Sequence, residues 1–429
     1  MPREVKRAVD YVAVSSVWLL LVAQAAVASA PEMPRCPAPL AAAGATTVQV
    51  VTLRGPDVAR VSVPALPPPV LVRVTERGID VSTDVLDAHE RLLARTASPV
   101  IRTGVQLAFV DSAPAMIVIR SREHAGHEGS VEIAFRGGAH GPCDTLARGL
   151  ATADMRYAAA QAAVASAARP GDTPAAAIFE DSARKYESQL ADGRLDAATR
   201  AALELSLASL YYYDLSIWSK SADWAQRAAR SAATATNPYG AARARAILAA
   251  DWLEMGSTSA SGGSGTAVPL DAGARFAAAR RLLRELESFH QRRGELFDAA
   301  LQTNNIGLAY YNEARFAEAI PYYSAALAVF ERLGETPRVA LSLQNLALCD
   351  WGQGRLTAAL PRFERALALM DARAHPDLYL LTLHNSALAH YAAGKYDESL
   401  RLHTRALEHS IEVQNAYFRG RSLMGLGIT

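Results

Sequence analysis

Three segments of this chain repeat at a fixed interval of 40 residues. Residues 303–330 (TNNIGLAYYNEARFAEAIPYYSAALAVF), 343–370 (LQNLALCDWGQGRLTAALPRFERALALM) and 383–410 (LHNSALAHYAAGKYDESLRLHTRALEHS) align without a gap. Asn305, Asn345 and Asn385 coincide. So do Gly307, Ala347 and Ala387; Ala319, Ala359 and Ser399; and Ala326, Ala366 and Ala406. Tyr323, Phe363 and His403 share one further position, and a fourth copy begins at Leu423 and reaches Gly427. One unit of this length cannot bury its own apolar face, so successive units must stack on one another. The small residues mark places where two helices approach closely, and the large ones fill the space between them.

This pattern resembles the tetratricopeptide repeat, whose usual length is about 34 residues. The 40-residue spacing implies longer helices, similar to the repeats of kinesin light chains and of CHAT proteins. Two weaker copies precede the three. Leu205 to Ala232 carries Ala208, Tyr211 and Trp224 at suitable offsets, with Lys220 and Arg227 where small residues are expected. Ala241 to Met255 reads as the next first helix and 274–289 as its second. Between them "GSTSASGGSGTAVP" (256–269) reads as a flexible insertion. Segments 144–168 and 179–190 read as joining helices, separated by Pro170-Gly171.

The chain has 429 residues, enough for two or three domains at roughly 150 each. Half of the residues are hydrophobic, which supports a sizeable core. Forty-four basic residues against 43 acidic ones lack the basic excess of a nucleic-acid protein. Three Cys exclude a disulfide-built scaffold and a four-Cys zinc module. The first residues carry Arg3, Lys6 and Arg7, then an apolar run from Tyr11 to Val27, then small residues up to Ala30. That order is the order of a secretory signal, with cleavage after Ala28. The alternative is an uncleaved anchor at the short limit for a span, and membrane attachment follows only in that case. Export, to the periplasm, is the expectation.

Residues 46–137 show short β-branched runs with a period near two. They include 48–53, 70–75, 79–86, 105–110, 116–120 and 131–135, with Pro64, Pro67, Pro68 and Pro69 in a loop. Seven or eight such runs fit a small antiparallel sandwich. "LVRVTERGIDVSTDVLDAHERLLARTASP" (71–99), the "AMIVIRS" strand and the "GSVEIAF" strand resemble the N-terminal sandwich of bacterial proteins that join tetratricopeptide repeats to a C-terminal caspase-like (CHAT) peptidase domain. That module is similar to pre-peptidase C-terminal (PPC) domains, and Glu76-Arg77-Gly78-Ile79-Asp80-Val81 is its most specific element. The resemblance implies an accessory or binding role for the sandwich.

The expected fold is multidomain α+β, a β-sandwich followed by an all-α solenoid. Its parts are a signal peptide (1–30), a linker (31–45), the sandwich (46–140), joining helices (141–175), degenerate repeats (176–299), and three full repeats with the start of a fourth (300–429). Ending there, the fourth copy leaves Leu423, Met424, Leu426 and Ile428 without a second helix. The expectation is that the repeat continues in a longer protein, or that 416–429 frays or self-associates.

No catalytic constellation is expected. His140-Gly141 and Cys143 superficially supply a caspase-like pair, but "GGAHGPCD" lacks buried parallel strands. His124, His127 and His140 lack a fourth metal ligand at a recognisable spacing, and read as loop histidines. Neither a cofactor nor a metal is expected. Cys36 and Cys143 flank the sandwich, and an exported protein can join them in a disulfide or keep two free thiols. Cys349 reads as a core residue. On the first helices, Leu301, Leu341 and Leu381 recur at one position and Asn304, Gln344 and His384 at another. Leu308, Leu348 and Leu388, then Tyr311, Trp351 and Tyr391, complete the stripe. Amides beside leucines and aromatics can hold an extended peptide, although such a stripe can also serve only repeat-on-repeat packing. Asn305, Asn345 and Asn385 read as structural, satisfying helix ends. The expected function is an exported, non-enzymatic scaffold that binds a peptide or protein partner in the repeat groove. The alternative is the regulatory half of a caspase-like peptidase whose catalytic domain lies beyond Thr429.

Overall fold

A computed structural model describes residues 47–428, apart from 55–56, 78, 101–104, 123–127, 139–142, 167–174, 191–194, 196, 258–271 and 374. The signal segment, residues 258–269 of the insertion, Cys36, His124, His127 and His140 lie outside the described residues, as does the side chain of Cys143; Gly256 and Ser257 instead end a helix. The described residues fall into two compact units that divide at Ala249.

In the first unit, eight strands form two antiparallel sheets. They are β1 (Thr47–Arg54), β2 (Val58–Ser62), β3 (Val70–Arg77), β4 (Val81–Leu86), β5 (Leu92–Ala97), β6 (Val105–Val110), β7 (Met116–Ser121) and β8 (Glu128–Gly137). One sheet has the order β1-β8-β3-β6 and the other β2-β7-β4-β5. Val72, Val74, Ile133 and Phe135 of the first sheet share one core with Val81, Val85, Ile117 and Ile119 of the second. The strands β2 and β5 go beyond the six runs singled out in the sequence. β2 (VARVS) buries only Val61, and β5 (LLARTA) carries Arg95 in mid-strand, so neither shows a clean apolar alternation. The four prolines lie between β2 and β3.

Five helices follow: α1 (Cys143–Ser166), α2 (Ala175–Leu190), α3 (Ala197–Tyr213), α4 (Trp218–Thr234) and α5 (Pro238–Ser257), the last containing the division between units. Helix α1 lies against β5 and β6. Leu71 and Leu107 point away from the sandwich core into a second cluster with Tyr157, Phe179 and Tyr186. Burial on both faces explains why "VQLAFV" is nearly continuous in apolar residues. The Asp154 carboxylate of α1 accepts from Leu107 N at 2.7 Å and from Tyr186 Oη at 2.5 Å. It thereby closes a backbone position on β6, an edge strand of its sheet.

The Glu76–Val81 element is the β3–β4 connection. Glu76 Oε1 accepts from Gln106 Nε2 at 2.8 Å and from Val81 N at 3.2 Å. Burial holds its carboxyl well above the usual range. Arg122 donates to Asp80 Oδ1 at 2.5 Å and to Ser98 O at 3.2 Å. These bonds give the segment a structural role.

In the α3–α4 hairpin the small residues do what the repeat pattern asks. Ala222, Ala225, Ala228 and Ala232 line the buried stripe of α4, and Ser221 Oγ donates to Ala208 O at 3.0 Å. Lys220 and Arg227 stand off this stripe, over the rings of Tyr211 and Trp224.

The second unit continues with α6 (Ala272–Gln291), α7 (Leu296–Asn312), α8 (Phe316–Leu333), α9 (Thr336–Gly352), α10 (Leu356–Leu369), α11 (Pro376–Ala392), α12 (Tyr396–Glu412) and α13 (Ala416–Ile428). Three hairpins, α7–α8, α9–α10 and α11–α12, carry the 40-residue period. Ala319, Ala359 and Ser399 are fully buried, as are Ala326, Ala366 and Ala406. A Cβ on Gly307 would stand 3.0 Å from the Tyr323 ring, a close approach that only a small residue suits. The turns inside the hairpins repeat too: Ala314, Gly354 and Gly394 take φ of 57°, 76° and 73°. In α13, Phe418 and Gly425 are buried, whereas Leu423, Met424 and Ile428 are more than half exposed. No helix among the described residues is long and apolar enough to cross a membrane.

Candidate functional site

The candidate site is built on the first helices of the repeats, α7, α9 and α11. Each lacks a charged residue over most of its length: 299–312, 339–349 and 378–394 contain no Asp, Glu, Lys or Arg. A helix without a charged face is buried on all sides. Leu341 through Trp351 and Leu378 through His390 are buried without interruption.

The structure therefore revises the surface expected from sequence. Leu308, Tyr311, Leu348, Trp351 and Leu388 belong to one hydrophobic core cluster, and Leu301, Leu341 and Leu381 are 1–3% exposed. Asn304, Gln344 and His384 are also buried, at 2%, 0% and 6%. Of the nine residues expected to meet a partner, Tyr391 alone is exposed, at 38%, edge-on to Tyr396. Sequence periodicity could not separate a groove from an interior, but the missing charges could have.

The polar members of the stripe form a ladder. Asn345 Nδ2 donates to Asn304 Oδ1 at 3.4 Å, and Thr382 Oγ1 donates to Gln344 Oε1. Each amide thus spends its oxygen on the following repeat. Among the described residues, the nitrogens Asn304 Nδ2 and Gln344 Nε2 have no hydrogen-bond partner, nor have Asn305 Oδ1, His384 Nδ1 and both amide atoms of Asn385. The sequence reading of the asparagine series 305, 345 and 385 as caps of helix ends does not fit Asn385, which sits in mid-helix with its amide unbonded among the described residues. A buried polar group left unpaired costs about 1–3 kcal/mol.

At the end of the ladder, the His384 and His403 rings stand 5.4 Å apart. Burial, and then the Arg421 guanidinium, hold both imidazoles below their usual range, His403 at about 4. Both nitrogens of His403 lack a hydrogen-bond partner among the described residues, and its ring lies against Gly425. Cys349 is buried, and burial pushes its thiol up to about 12. Among the described residues, one group of side chains could hold a metal ion: His290, Glu295 and Asp298, at the α6–α7 turn.

Residues 298–372 and 380–412 each match a tetratricopeptide-repeat family model. No curated protein matches the chain. Among solved structures, the chain is similar to a Rap protein complexed with competence and sporulation factor, with 13% identity over 66% of this chain and 70% of that one and a TM-score of 0.48. It is similar to NprR in complex with its cognate peptide NprX, with 12% identity, 64% and 71% coverage and a TM-score of 0.44. BtubC from P. vanneervenii is also similar, with 19% identity, 56% and 91% coverage and a TM-score of 0.41.

Proposed function

We propose that this chain is a non-enzymatic interaction scaffold, and that its tetratricopeptide repeats take an extended peptide segment of a partner. The observation that carries this reading is the ladder of unpartnered amide nitrogens on consecutive first helices, Asn304 Nδ2 and Gln344 Nε2. Free donors at a repeating interval suit the backbone carbonyls of an extended strand. His384 and Asn385 continue the series, and Tyr391 offers an exposed aromatic at its end. The partner reaches the buried donors when successive repeats part, and its carbonyls then replace the missing acceptors.

The test is selection of random peptides on the full chain, followed by affinity measurement on the variant Asn304→Leu/Gln344→Leu. Two lost donors weaken the selected peptide about 10- to 30-fold while the helical spectrum is kept. Failure to enrich any peptide, or equal affinity in a folded variant, ends this reading.

Export to the periplasm belongs to the same proposal. The order of charged, apolar and small residues up to Ala30 supports it. A mature N-terminus at Ser29 in a periplasmic fraction is the expected result. The peptidase-associated reading rests on the resemblance of residues 71–99, and a His-Gly and a Cys motif encoded past Thr429 would favour it.

A further inference from the structure

The turn between α6 and α7 gathers three side chains with metal-binding donors. His290 stands in the last turn of α6, Glu295 precedes the first residue of α7, and Asp298 lies in its first turn. His290 and Asp298 are each 8% exposed. One ligand atom from each of the three lies within 4.8 Å of the others. His290 Nδ1 and Glu295 Oε2 face one another at 2.7 Å. The other oxygen, Glu295 Oε1, accepts from Arg293 Nε at 3.0 Å. Glu295 is thus oriented by one oxygen and presents the second to the imidazole, the arrangement by which outer partners aim a metal ligand.

The backbone fixes the three donors before any ion arrives. Glu295 N donates to His290 O at 3.0 Å, and Gly294 makes the reversal with φ of 75°. The turn itself does not require this chemistry. Forty residues on, Glu335 N donates to Phe330 O at 3.0 Å around Gly334, whose φ is 73°. There Phe330 and Arg338 occupy the places of His290 and Asp298. Glu335 keeps the place of Glu295. The same turn therefore forms with an apolar ring and an arginine, and the imidazole and the Asp298 carboxylate are additions to it.

We propose that His290, Glu295 and Asp298 form a binding site for a divalent transition metal of the zinc class. One imidazole nitrogen and two carboxylate oxygens are donors that zinc accepts at about 2.0–2.2 Å. Tetrahedral donors at that range stand about 3.4 Å apart, so side-chain rotations of about 1 Å close the site. Zinc enters between Nδ1 and Oε2, the proton held there leaves to solvent, and water completes the fourth position. The bound ion pins the end of α6 to the start of α7.

Zinc chloride titrated calorimetrically into chelator-treated full-length protein tests this directly. The expected result is one saturable site, together with a rise in thermal midpoint on adding zinc. The variant His290→Phe carries the residue that the following repeat uses, and Asp298→Asn keeps the shape of the side chain. Each weakens zinc binding about tenfold or more and abolishes the zinc-dependent rise, with the helical spectrum unchanged. If His290→Phe does not fold, Asp298→Asn decides alone. Absence of saturable binding, or zinc affinity unchanged in a folded variant, overturns the proposal, the second result showing an adventitious ion on other histidines.

Discussion

Asn345 Nδ2 donates to Asn304 Oδ1 at 3.4 Å, a bond that crosses from one repeat to the next with both residues almost fully buried. The bond has a direction along the solenoid. Thr382 of the third repeat donates to Gln344 of the second in the same sense. The acceptor halves of Asn304 and Gln344 are consumed by the following repeat, and their donor halves are left over among the described residues. Small-residue packing sets how closely helices approach, whereas these bonds fix the register between repeats and retain donors that the fold does not use.

The bond between these two asparagines predicts an asymmetry. Asn345→Leu removes the donor and leaves both ends of the Asn304 amide unpaired, costing about 1–3 kcal/mol. Asn304→Leu/Asn345→Leu removes the whole pair and recovers part of that loss. Urea denaturation of the single and double variants measures the difference. A double variant that is less stable than the parent by the sum of the two single losses would show that the asparagines do not interact.

The turn at Ala314 carries a backbone cost that its equivalents avoid. Ala314 has φ of 57°, while Gly354 and Gly394 occupy the same place in the next repeats. An L-residue in this left-handed region is disfavoured by about 1 kcal/mol, and glycine adopts it freely. Ala314→Gly raises stability by up to about 1 kcal/mol, less the entropy that glycine adds to the unfolded chain. A fall in the thermal midpoint would contradict this account.

The repeats were legible because sterics act on residue size. Wherever two helices cross closely only Gly, Ala or Ser fits, so 307, 347, 387 and their kin stand out at a fixed interval. The sandwich was legible for a related reason, since β3, β6, β7 and β8 are rich in β-branched residues. The site was read less well. An apolar stripe looks alike whether it lines a groove or an interior, and Trp351, 3% exposed, belongs to the interior. The His290, Glu295 and Asp298 grouping was invisible because no motif spacing marks it; the left-handed turn at Gly294 brings the residues together.

Trp351 and Tyr391 occupy equivalent positions one repeat apart and should respond oppositely to truncation. Trp351 is 3% exposed within a core cluster, while Tyr391 is 38% exposed. Trp351→Ala leaves a cavity and costs about 3–5 kcal/mol. Tyr391→Ala stays within about 0.5 kcal/mol and instead weakens any peptide selected on the repeats. Thermal melts of the two variants give the comparison, and a Trp351→Ala protein as stable as the parent would return that ring to the surface.

Buried titratable groups around α1 and those in α11 and α12 have opposite tendencies. In the first group, Asp154 is pushed up to about 7, mainly by burial, against the lowering effect of its bonds from Tyr186 and Leu107. An unfolded carboxyl titrates near 3.9. Between about pH 4 and 7 the folded state therefore holds a proton that the unfolded chain does not. The resulting stability is complete below about pH 4 and is lost as pH rises through about 7. Asp214, also raised to about 7 by burial, adds to the same trend. In the second group, His403 is lowered to about 4 by burial and by Arg421, and His384 is lowered by burial, Arg421 and His403. An unfolded imidazole titrates near 6.5, so here the unfolded chain binds the extra proton. That stability is complete above about pH 6.5 and is lost as pH falls through about 4. Each proton contributes up to about 1.4 kcal/mol per pH unit within its window. Opening free energies from native-state hydrogen exchange at pH 5 and pH 8 should therefore move in opposite directions: α1 and β6 open more easily at pH 8, and α11 to α13 more easily at pH 5. Asp154→Asn flattens the first trend and leaves the second, whereas a common direction for both regions would show that these buried groups do not govern the local stability.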